Sequence, residues 1–200
     1  MVFRSKMIAP IKKRKADIYA VYQLKVVLCD SKPSIWRRFQ VPGNITLLHL
    51  HGILQVVMGW TNCHLHQFRN EGDVYSVSSP GDFHGTDDLD ERRYTLADIA
   101  PCEKDWFIYE YDFGDAWEHE VLVEAHLPPM VKRQAICMDG KNACPPDDCG
   151  GIPGYYNLLE AVSNPKHKDR QQLLDWLGGP FDPKHFDIQG VNARLKGLKL

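Results

Sequence analysis

The sequence predicts an α+β fold, a mainly antiparallel sheet with a helix across one face and a helical C-terminal quarter. Three observations support this. Apolar residues alternate along several short segments in the first two thirds of the chain. One early segment has helical periodicity, and the same periodicity returns after Gly154. The order strand, strand, helix, strand suits a β-grasp-like core.

The first elements form a hairpin followed by a helix. Residues 19–29 (YAVYQLKVVLC) and 35–41 (IWRRFQV) read as two strands joined by turn residues. Thr46 is the expected N-cap of a helix over 47–58 that ends at Gly59. His51 lies beside the apolar stripe of this helix, and His49 lies on the opposite side.

Later elements follow the same logic. Strands are predicted at 64–69 and 73–78, a long loop at 80–94 and one helical turn at 95–99. The Cys-, Pro-, Gly- and Asp-rich segment 137–153 predicts irregular structure. The remaining predicted elements are a hairpin of strands 106–113 and 117–125, and helices at 155–162, 168–177 and 187–195.

The composition is that of a globular protein. Two hundred residues with 44% apolar and 25% charged residues predict a single α+β domain over 18–200 and argue against wholesale disorder. The formal net charge of −2 gives no global reason to expect a nucleic-acid binder. Residues 1–17 read as a basic N-terminal arm, which either neutralises phosphates or is a solvated terminus; its basic residues are Arg4, Lys6, Lys12, Lys13, Arg14 and Lys15.

The apolar segments of the chain bear on its localisation. The N-terminus lacks the uninterrupted apolar stretch of a signal peptide, and no apolar run approaches the length needed to span a membrane. The expectation is therefore a cytoplasmic protein without a membrane partner. Six cysteines in a chain of this length do not indicate a dense disulfide framework.

The 106–125 hairpin carries the densest group of aromatic residues. If Phe113 pairs with Trp117 across the turn, Tyr111 opposes His119, and His119 lies in a buried aromatic wall. The shared face of these strands makes Trp117 and Tyr111 part of the same candidate pocket.

The other face of this hairpin is acidic. The same register sets Asp112 opposite Glu118 and Glu110 opposite Glu120. Because like charges across a ladder destabilise it, compensation is expected from a basic side chain or solvent, from a bound cation, or from a different register.

A His-x-His pair offers a candidate metal site. On a strand, His64 and His66 project to the same side, a spacing that suits two ligands of zinc or another divalent metal. Asp112, Asp115 or His119 would complete the set. The alternative is two half-exposed histidines that are satisfied by the sheet edge and solvent.

Three cysteines offer a second candidate metal site. Cys137, Cys144 and Cys149 are separated by six and four residues, so a structural zinc completed by a distant histidine is one interpretation. A rigid loop with small buried cysteines is the other. Signatures of phosphate-binding loops, dinucleotide folds, serine hydrolases and zinc proteases are absent, which weighs against those enzyme classes.

The chain resembles the Ri-plasmid open-reading-frame-three-like family over about residues 18–195. The matching blocks are 35–42 (IWRRFQVP), 50–60 (LHGILQVVMGW), 64–68 (HLHQF), 111–119 (YDFGDAWEH), 144–151 (CPPDDCGG), 154–155 (GY), 176–183 (WLGGPFDP), 186–187 (FD) and 191–192 (VN).

The resemblance implies a compact α+β domain that is sometimes carried by plasmids or transposons, and it implies no particular activity. It adds Trp36, Arg37, Arg38 and Trp60 as site or core residues. Because Arg37 and Arg38 point to opposite faces of their strand, at most one can meet the acidic face of the hairpin.

Three candidate functions are compatible with these sequence features. The first is a non-catalytic binding module for an unknown protein or small molecule, with an accessory role in mobile elements as one form of it. Its candidate residues are His64, His66, Tyr111, Asp112, Asp115, Trp117, His119 and Arg37. The second is a metal-dependent hydrolytic enzyme with Asp115 or Glu118 as general base. The third, a nucleic-acid accessory protein using the basic arm with Arg37, Arg38, Arg92 and Arg93, is disfavoured by the balanced charge.

Overall fold

A computed structural model describes residues 18–77, 88–130, 132 and 134–199. The predicted basic arm, residues 1–17, and most of the predicted 80–94 loop lie outside these ranges, so the division into an arm and one domain stays a prediction. The described strands are β1 (Val21–Leu28), β2 (Trp36–Pro42), β3 (His66–Asn70), β4 (Asp73–Ser76), β5 (Leu89–Asp90), β6 (Trp106–Tyr111), β7 (Trp117–Leu127) and β8 (Ile136–Lys141). The described helices are α1 (Leu47–Met58), α2 (Leu96–Ile99), α3 (Gly151–Ser163), α4 (Arg170–Leu177) and α5 (Ile188–Leu195), with a 3₁₀ turn at Glu91–Arg93.

The described strands form one sheet in the order β5-β4-β3-β6-β7-β1-β2-β8. Every pairing is antiparallel except that of β4 with β5. The α+β class is therefore confirmed. Strand β3 pairs with β4 and β6, and β1 lies between β7 and β2, so the β-grasp-like core stays a prediction. None of the described helices is long and apolar enough to cross a membrane.

Helix α1 forms as predicted, from residue 47 to residue 58. The Thr46 side chain accepts a hydrogen bond from the His49 amide, and Gly59 ends the helix in the left-handed conformation with φ 105°. His51 is buried and His49 is half-buried. The apolar face joins the core of the sheet through Leu47, Leu50, Ile53, Leu54, Val57 and Met58.

The β6–β7 hairpin pairs in a register that differs from the predicted one by two residues. Tyr111 opposes Trp117, and Tyr109 opposes His119. The turn is longer than predicted because Asp112 and Ala116, with φ 57° and 53°, leave the strands in the left-handed conformation. His119 nevertheless lies fully buried in the aromatic wall, as predicted.

The like-charge pair in this hairpin is compensated by a basic side chain, one of the predicted solutions. Glu110 opposes Glu118, and Arg69 from the neighbouring strand β3 contacts both carboxylates. Further along the same face, Arg38 forms a bidentate pair with Glu124, with distances of 2.6 and 2.8 Å. Arg37 points to the buried face, so one arginine of the pair meets the acidic strand, as expected from their alternation.

Segment 137–153 is more regular than predicted. It contains most of β8, and α3 already begins at Gly151. Pro153 is compatible with the first turn of α3, because the first amides of a helix have no intrahelical acceptor. The other two C-terminal helices, α4 and α5, lie where the periodicity predicted them.

Candidate functional site

Two polar blocks that are distant in the sequence meet around one imidazole. His64 lies in the loop between α1 and β3, Asp112 in the β6–β7 turn, and Asp148 in the loop that leads from β8 to α3. The His64 Nε2 atom is 3.5 Å from Asp112 Oδ2 and 3.1 Å from Asp148 Oδ1. The sequence alone did not establish that the hairpin and the cysteine loop share a site.

Two groups of potential metal ligands occur within the described residues, and both contain His64. One is His64 with Asp112 and Asp148, and the other is His64 with Cys63 and Asp147. Within each group the ligand atoms lie within 4.8 Å of one another. We call these five residues the His64 site.

One carboxylate oxygen of Asp112 is anchored by backbone amides, and the other faces His64. Its Oδ1 accepts hydrogen bonds from the amides of Gly114 and Asp115, at 3.0 and 3.3 Å. Its own amide donates to the Leu65 carbonyl at 2.9 Å, which ties the turn to the His64 loop. The side chain is 10% exposed, and its Oδ2 is the atom that faces His64.

Asp147 is held in a similar way. Its Oδ2 accepts from the Thr61 amide at 3.1 Å and from the Thr61 hydroxyl at 2.6 Å. Its Oδ1 is buried and has no hydrogen-bond partner among the described residues. Both carboxylates thus use one oxygen for anchoring and leave the other available, an arrangement typical of oriented metal ligands.

The His64 imidazole is the least satisfied group of the site. Its Nε2 is buried, yet it makes no hydrogen bond within the described part of the chain, although two carboxylate oxygens lie close to it. The oxygens therefore flank Nε2 without hydrogen-bonding geometry. Buried polar atoms are normally paired, so this one requires an explanation.

Two glycines allow close packing, Gly154 within the segment that leads into α3 and Gly151 between that segment and the β6–β7 turn. A Cβ atom at Gly154 would lie 1.8 Å from the Cys149 carbonyl oxygen, and one at Gly151 would lie 2.7 Å from the Asp115 carbonyl oxygen. The Asp115 side chain completes the junction, because its Oδ2 accepts from the Gly150 amide at 3.0 Å. Asp115 thus joins the two loops and is not in either ligand group.

His66 lies in a different environment from His64. Its Nε2 is 2.9 Å from Glu91 Oε2, and its ring stacks on His51 with 3.4 Å between centroids and 7° between planes. His51 donates from Nε2 to Asn62 Oδ1, so its Nδ1 accepts from the Tyr109 hydroxyl. The structure therefore separates the His-x-His pair, and His66 is not in either ligand group.

His119 also lies outside the ligand groups. Its Nε2 accepts from Trp60 Nε1 at 3.3 Å, and its Nδ1 donates to the Tyr109 carbonyl at 3.1 Å. Complete burial lowers its pKa from 6.5 to about 4, so the ring is neutral at pH 7. Trp117, also fully buried, stacks near Trp60 with 5.4 Å between ring centroids.

Tyr111 connects this aromatic wall to the site. Its hydroxyl accepts from the Cys63 amide at 3.2 Å, and its ring packs edge-on against His64 with 5.7 Å between centroids. Burial raises the pKa of Tyr111, so the hydroxyl keeps its proton and can donate to a neighbour.

The cysteines of the C-terminal block do not form a ligand group among the described residues. Cys137, Cys144 and Cys149 are free thiols, and burial raises the pKa of each. Cys137 packs on the backbone of β2 and β8, with its sulfur 3.7 Å from the carbonyls of Arg38 and Asp139.

The hydrogen bonds of Arg37 are with the backbone of the fold. Its Nε donates to the Val57 carbonyl at 2.9 Å, and its Nη1 donates to the carbonyls of Trp36 and Lys141 at 2.8 and 2.9 Å. The guanidinium lies 4.0 Å from the centroid of the Phe186 ring. These contacts connect the end of α1 with β2 and β8, and none of them is to a side chain of the His64 site.

Three residues of the site were missed as ligands at the level of sequence. Asp147 and Asp148 were noticed within the Cys-Pro-Pro-Asp-Asp-Cys block, but nothing in their spacing indicated which histidine they would reach. Cys63 is a single cysteine directly before His64, and no cysteine motif in the sequence marks it as a ligand. The structural feature that marks these loops is the left-handed backbone at Asn62 and Asp148, with φ 59° and 60°. The sequence alone does not reveal such conformations.

The fold and site define an α+β protein with a mainly antiparallel sheet and a histidine–carboxylate cluster where β3 and β6 meet. The chain belongs to the family described as plasmid pRiA4b ORF-3-like proteins, whose model matches residues 20–190. The resemblance seen in the sequence blocks is thereby confirmed.

Two relatives extend this assignment. The chain is 36% identical over 183 residues to the uncharacterized protein y4hQ of Sinorhizobium fredii (strain NBRC 101917 / NGR234), a match that covers 90% of this chain and 93% of that protein. The crystal structure of MM3350, a protein of unknown function from Methanosarcina mazei Go1, has 37% sequence identity and a TM-score of 0.77. That match covers 85% of this chain and 96% of MM3350. Neither relative is described with an activity, so the function has to be argued from the site.

Proposed function

We propose that the protein is a binding module whose His64 site holds a divalent metal ion, with His64, Asp112 and Asp148 as ligands. The observation that carries the proposal is the His64 Nε2 atom, which is buried, without a hydrogen bond among the described residues, and flanked by carboxylate oxygens at 3.1 and 3.5 Å. A metal ion would satisfy all three atoms at once.

The spacing of these atoms supports the proposal. Nitrogen and oxygen ligands lie about 2.0–2.2 Å from zinc, so two ligands of a tetrahedral ion are roughly 3.3–3.6 Å apart. The two separations from Nε2, 3.1 and 3.5 Å, bracket the lower end of this range. The ligand atoms could therefore bind an ion with only a small adjustment.

The charge of the site supports the same conclusion. Asp112, Asp147 and Asp148 come together, and in the described chain no lysine or arginine forms an ion pair with any of them. Carboxylates that are crowded without a cation repel one another, and a divalent ion removes that repulsion. Glu110 and Glu118 differ in this respect, because Arg69 neutralises them.

A further coordination position is open to a donor from solvent, a small molecule or a protein partner. Asp148 is 68% exposed, so this side of the ion faces solvent. Three protein ligands with one open position also suit a metal-dependent hydrolase, the second candidate function. Both bases expected from the sequence are engaged, because Asp115 binds the Gly150 amide and Glu118 contacts Arg69. In a hydrolase, the base would instead be Asp147, whose Oδ1 has no hydrogen-bond partner among the described residues.

The experiment is a comparison of metal binding in the full chain after exhaustive chelation. Zinc titration by calorimetry is expected to give about one ion per chain. The His64→Ala variant is expected to bind at least about 100-fold more weakly, a loss of about 2.7 kcal/mol. A wild-type protein that binds no divalent ion, or a His64→Ala variant with full affinity, would refute the proposal.

The matched control is His185→Ala, which removes an exposed imidazole from the segment between α4 and α5. It leaves the same number of histidines as the test variant and is expected to keep wild-type zinc affinity. If both variants lose affinity equally, the zinc is held by scattered surface histidines and the site assignment fails.

A further inference from the structure

Cys63 is the one thiol that lies in a ligand group of the described chain. Its Sγ lies within 4.8 Å of ligand atoms of both His64 and Asp147. The residue is exposed, whereas the neighbouring Nε2 of His64 and Oδ1 of Asp147 are buried and make no hydrogen bond to the described residues. The sulfur therefore lies beside two residues that each carry a buried polar atom without a hydrogen bond to the described residues.

Neighbouring residues fix the position of this sulfur. The Cys63 amide donates to the Tyr111 hydroxyl, and that hydroxyl oxygen is 3.7 Å from Sγ. The Thr61 hydroxyl lies 3.1 Å from Sγ and 2.6 Å from Asp147 Oδ2, so one side chain links the thiol to the carboxylate. Cys63 is thus built into the site, in contrast to Cys102, which belongs to neither ligand group.

We propose that Cys63 is a sulfur ligand of the ion and makes the site selective for thiophilic transition metals such as zinc, cobalt(II) and cadmium. This inference rests on the proposed function, because it concerns the same ion. On binding, the metal–sulfur bond replaces the S–H bond, and the proton leaves to solvent.

The ligand chemistry explains why the thiol matters. One imidazole with carboxylates alone forms a site that manganese, magnesium or calcium can also enter, because oxygen donors suit these harder ions. A thiolate adds little for magnesium or calcium and much for zinc or cadmium. Cys63 would therefore determine which divalent ion the His64 site takes.

The test is cobalt(II) binding followed by absorption spectroscopy on the full chain. Bound cobalt gives visible ligand-field bands, and a cobalt–thiolate bond adds a sulfur-to-metal charge-transfer band in the near ultraviolet. We expect both in the wild-type protein. Cys63→Ser should lose the charge-transfer band and keep ligand-field bands, and Cys102→Ser should keep both.

The outcomes separate the inference from the proposed function. Ligand-field bands without a charge-transfer band in the wild type would overturn the role of Cys63 while leaving the metal site standing. A charge-transfer band that persists in Cys63→Ser would assign the sulfur to another cysteine and also overturn it. No cobalt bands, with no divalent ion bound in calorimetry, would overturn both.

A selectivity measurement completes the test. Cadmium affinity is expected to fall by on the order of tenfold or more in Cys63→Ser, while manganese affinity stays within about threefold of the wild type. Equal losses for the two ions would mean that Cys63 supports the fold of the loop, and would overturn its role as the selecting ligand.

Discussion

His64 and His66 are separated by one residue and lie in opposite environments. His66 is stacked on His51 and paired with the buried carboxylate of Glu91. His64 is partly exposed, packs against Tyr111, and has a ring nitrogen without a hydrogen bond among the described residues. The same residue type thus serves packing at one position and leaves an unused ligand atom at the other.

This difference extends to the two regions around them. His51, His66 and His119, which we call the buried histidine layer, all contact Tyr109, and each has its Nε2 atom paired with a protein atom. The His64 site instead leaves a nitrogen and a carboxylate oxygen without partners in the described chain. Residue type alone therefore does not distinguish His64 from the buried histidine layer, whereas exposure and the pairing of the ring atoms do.

The largest expected effect is on the stability of the fold, which should depend on His66 and not on His64. His66→Ala should lower the free energy of unfolding by about 3–5 kcal/mol, because it leaves the fully buried Glu91 carboxylate without its partner. Oε1 of Glu91 already makes no hydrogen bond to the described residues, so this oxygen cannot compensate. Denaturant unfolding of the chelated protein provides the measurement.

His64→Ala is the paired variant and should stay within about 0.5 kcal/mol of wild type in the same chelated sample. If His66→Ala were as stable as His64→Ala, the Glu91 pair would contribute nothing to the fold. The comparison of the two regions would then lose its basis.

The sequence was sufficient for the features that depend on local rules. Thr46 and Gly59 delimit α1 as predicted. The alternation of Arg37 and Arg38 correctly predicted that at most one of them meets the acidic strand, and the structure shows that it is Arg38. His119 was correctly placed in the buried wall because strand alternation survives a register error of two residues.

The features that failed depend on tertiary contacts. Strand β3 begins at His66, so His64 lies in the preceding loop and the alternation rule that paired the two histidines does not apply to it. The hairpin register changed because Asp112 and Ala116 adopt positive φ angles in a longer turn. Which carboxylates approach His64 was decided by packing of α3 against that turn, and no local pattern encodes it.

The next effect is the dependence of protein stability on pH, which we expect from His119 in the buried histidine layer. The pKa of His119 is lowered by burial from 6.5 to about 4, so the folded state holds this ring neutral. Between these pH values the unfolded state binds more protons, and stability must fall as the pH falls from 6.5 towards 4. A shift of this size corresponds to about 3 kcal/mol.

Unfolding free energies between pH 7 and pH 4 check this expectation. His119→Gln should have a shallower pH dependence than the wild type, whatever its absolute stability, and His185→Gln should follow the wild-type slope. Equal slopes for wild type and His119→Gln would show that His119 does not contribute to acid destabilisation.

The smallest effect tests whether the His64 site is positioned by its neighbours. Thr61 is exposed and binds Asp147 through its amide and its hydroxyl, so Thr61→Val removes one hydrogen bond and leaves the other. Zinc affinity is expected to fall by about tenfold, or about 1.4 kcal/mol, because Asp147 and Cys63 lose the hydroxyl that links them. Thr61→Ser keeps the hydroxyl and should restore wild-type affinity in the same calorimetric titration. An equal loss in both variants would contradict this expectation, because Thr61→Ser keeps the hydroxyl; the hydroxyl would then not be what positions Asp147 and Cys63.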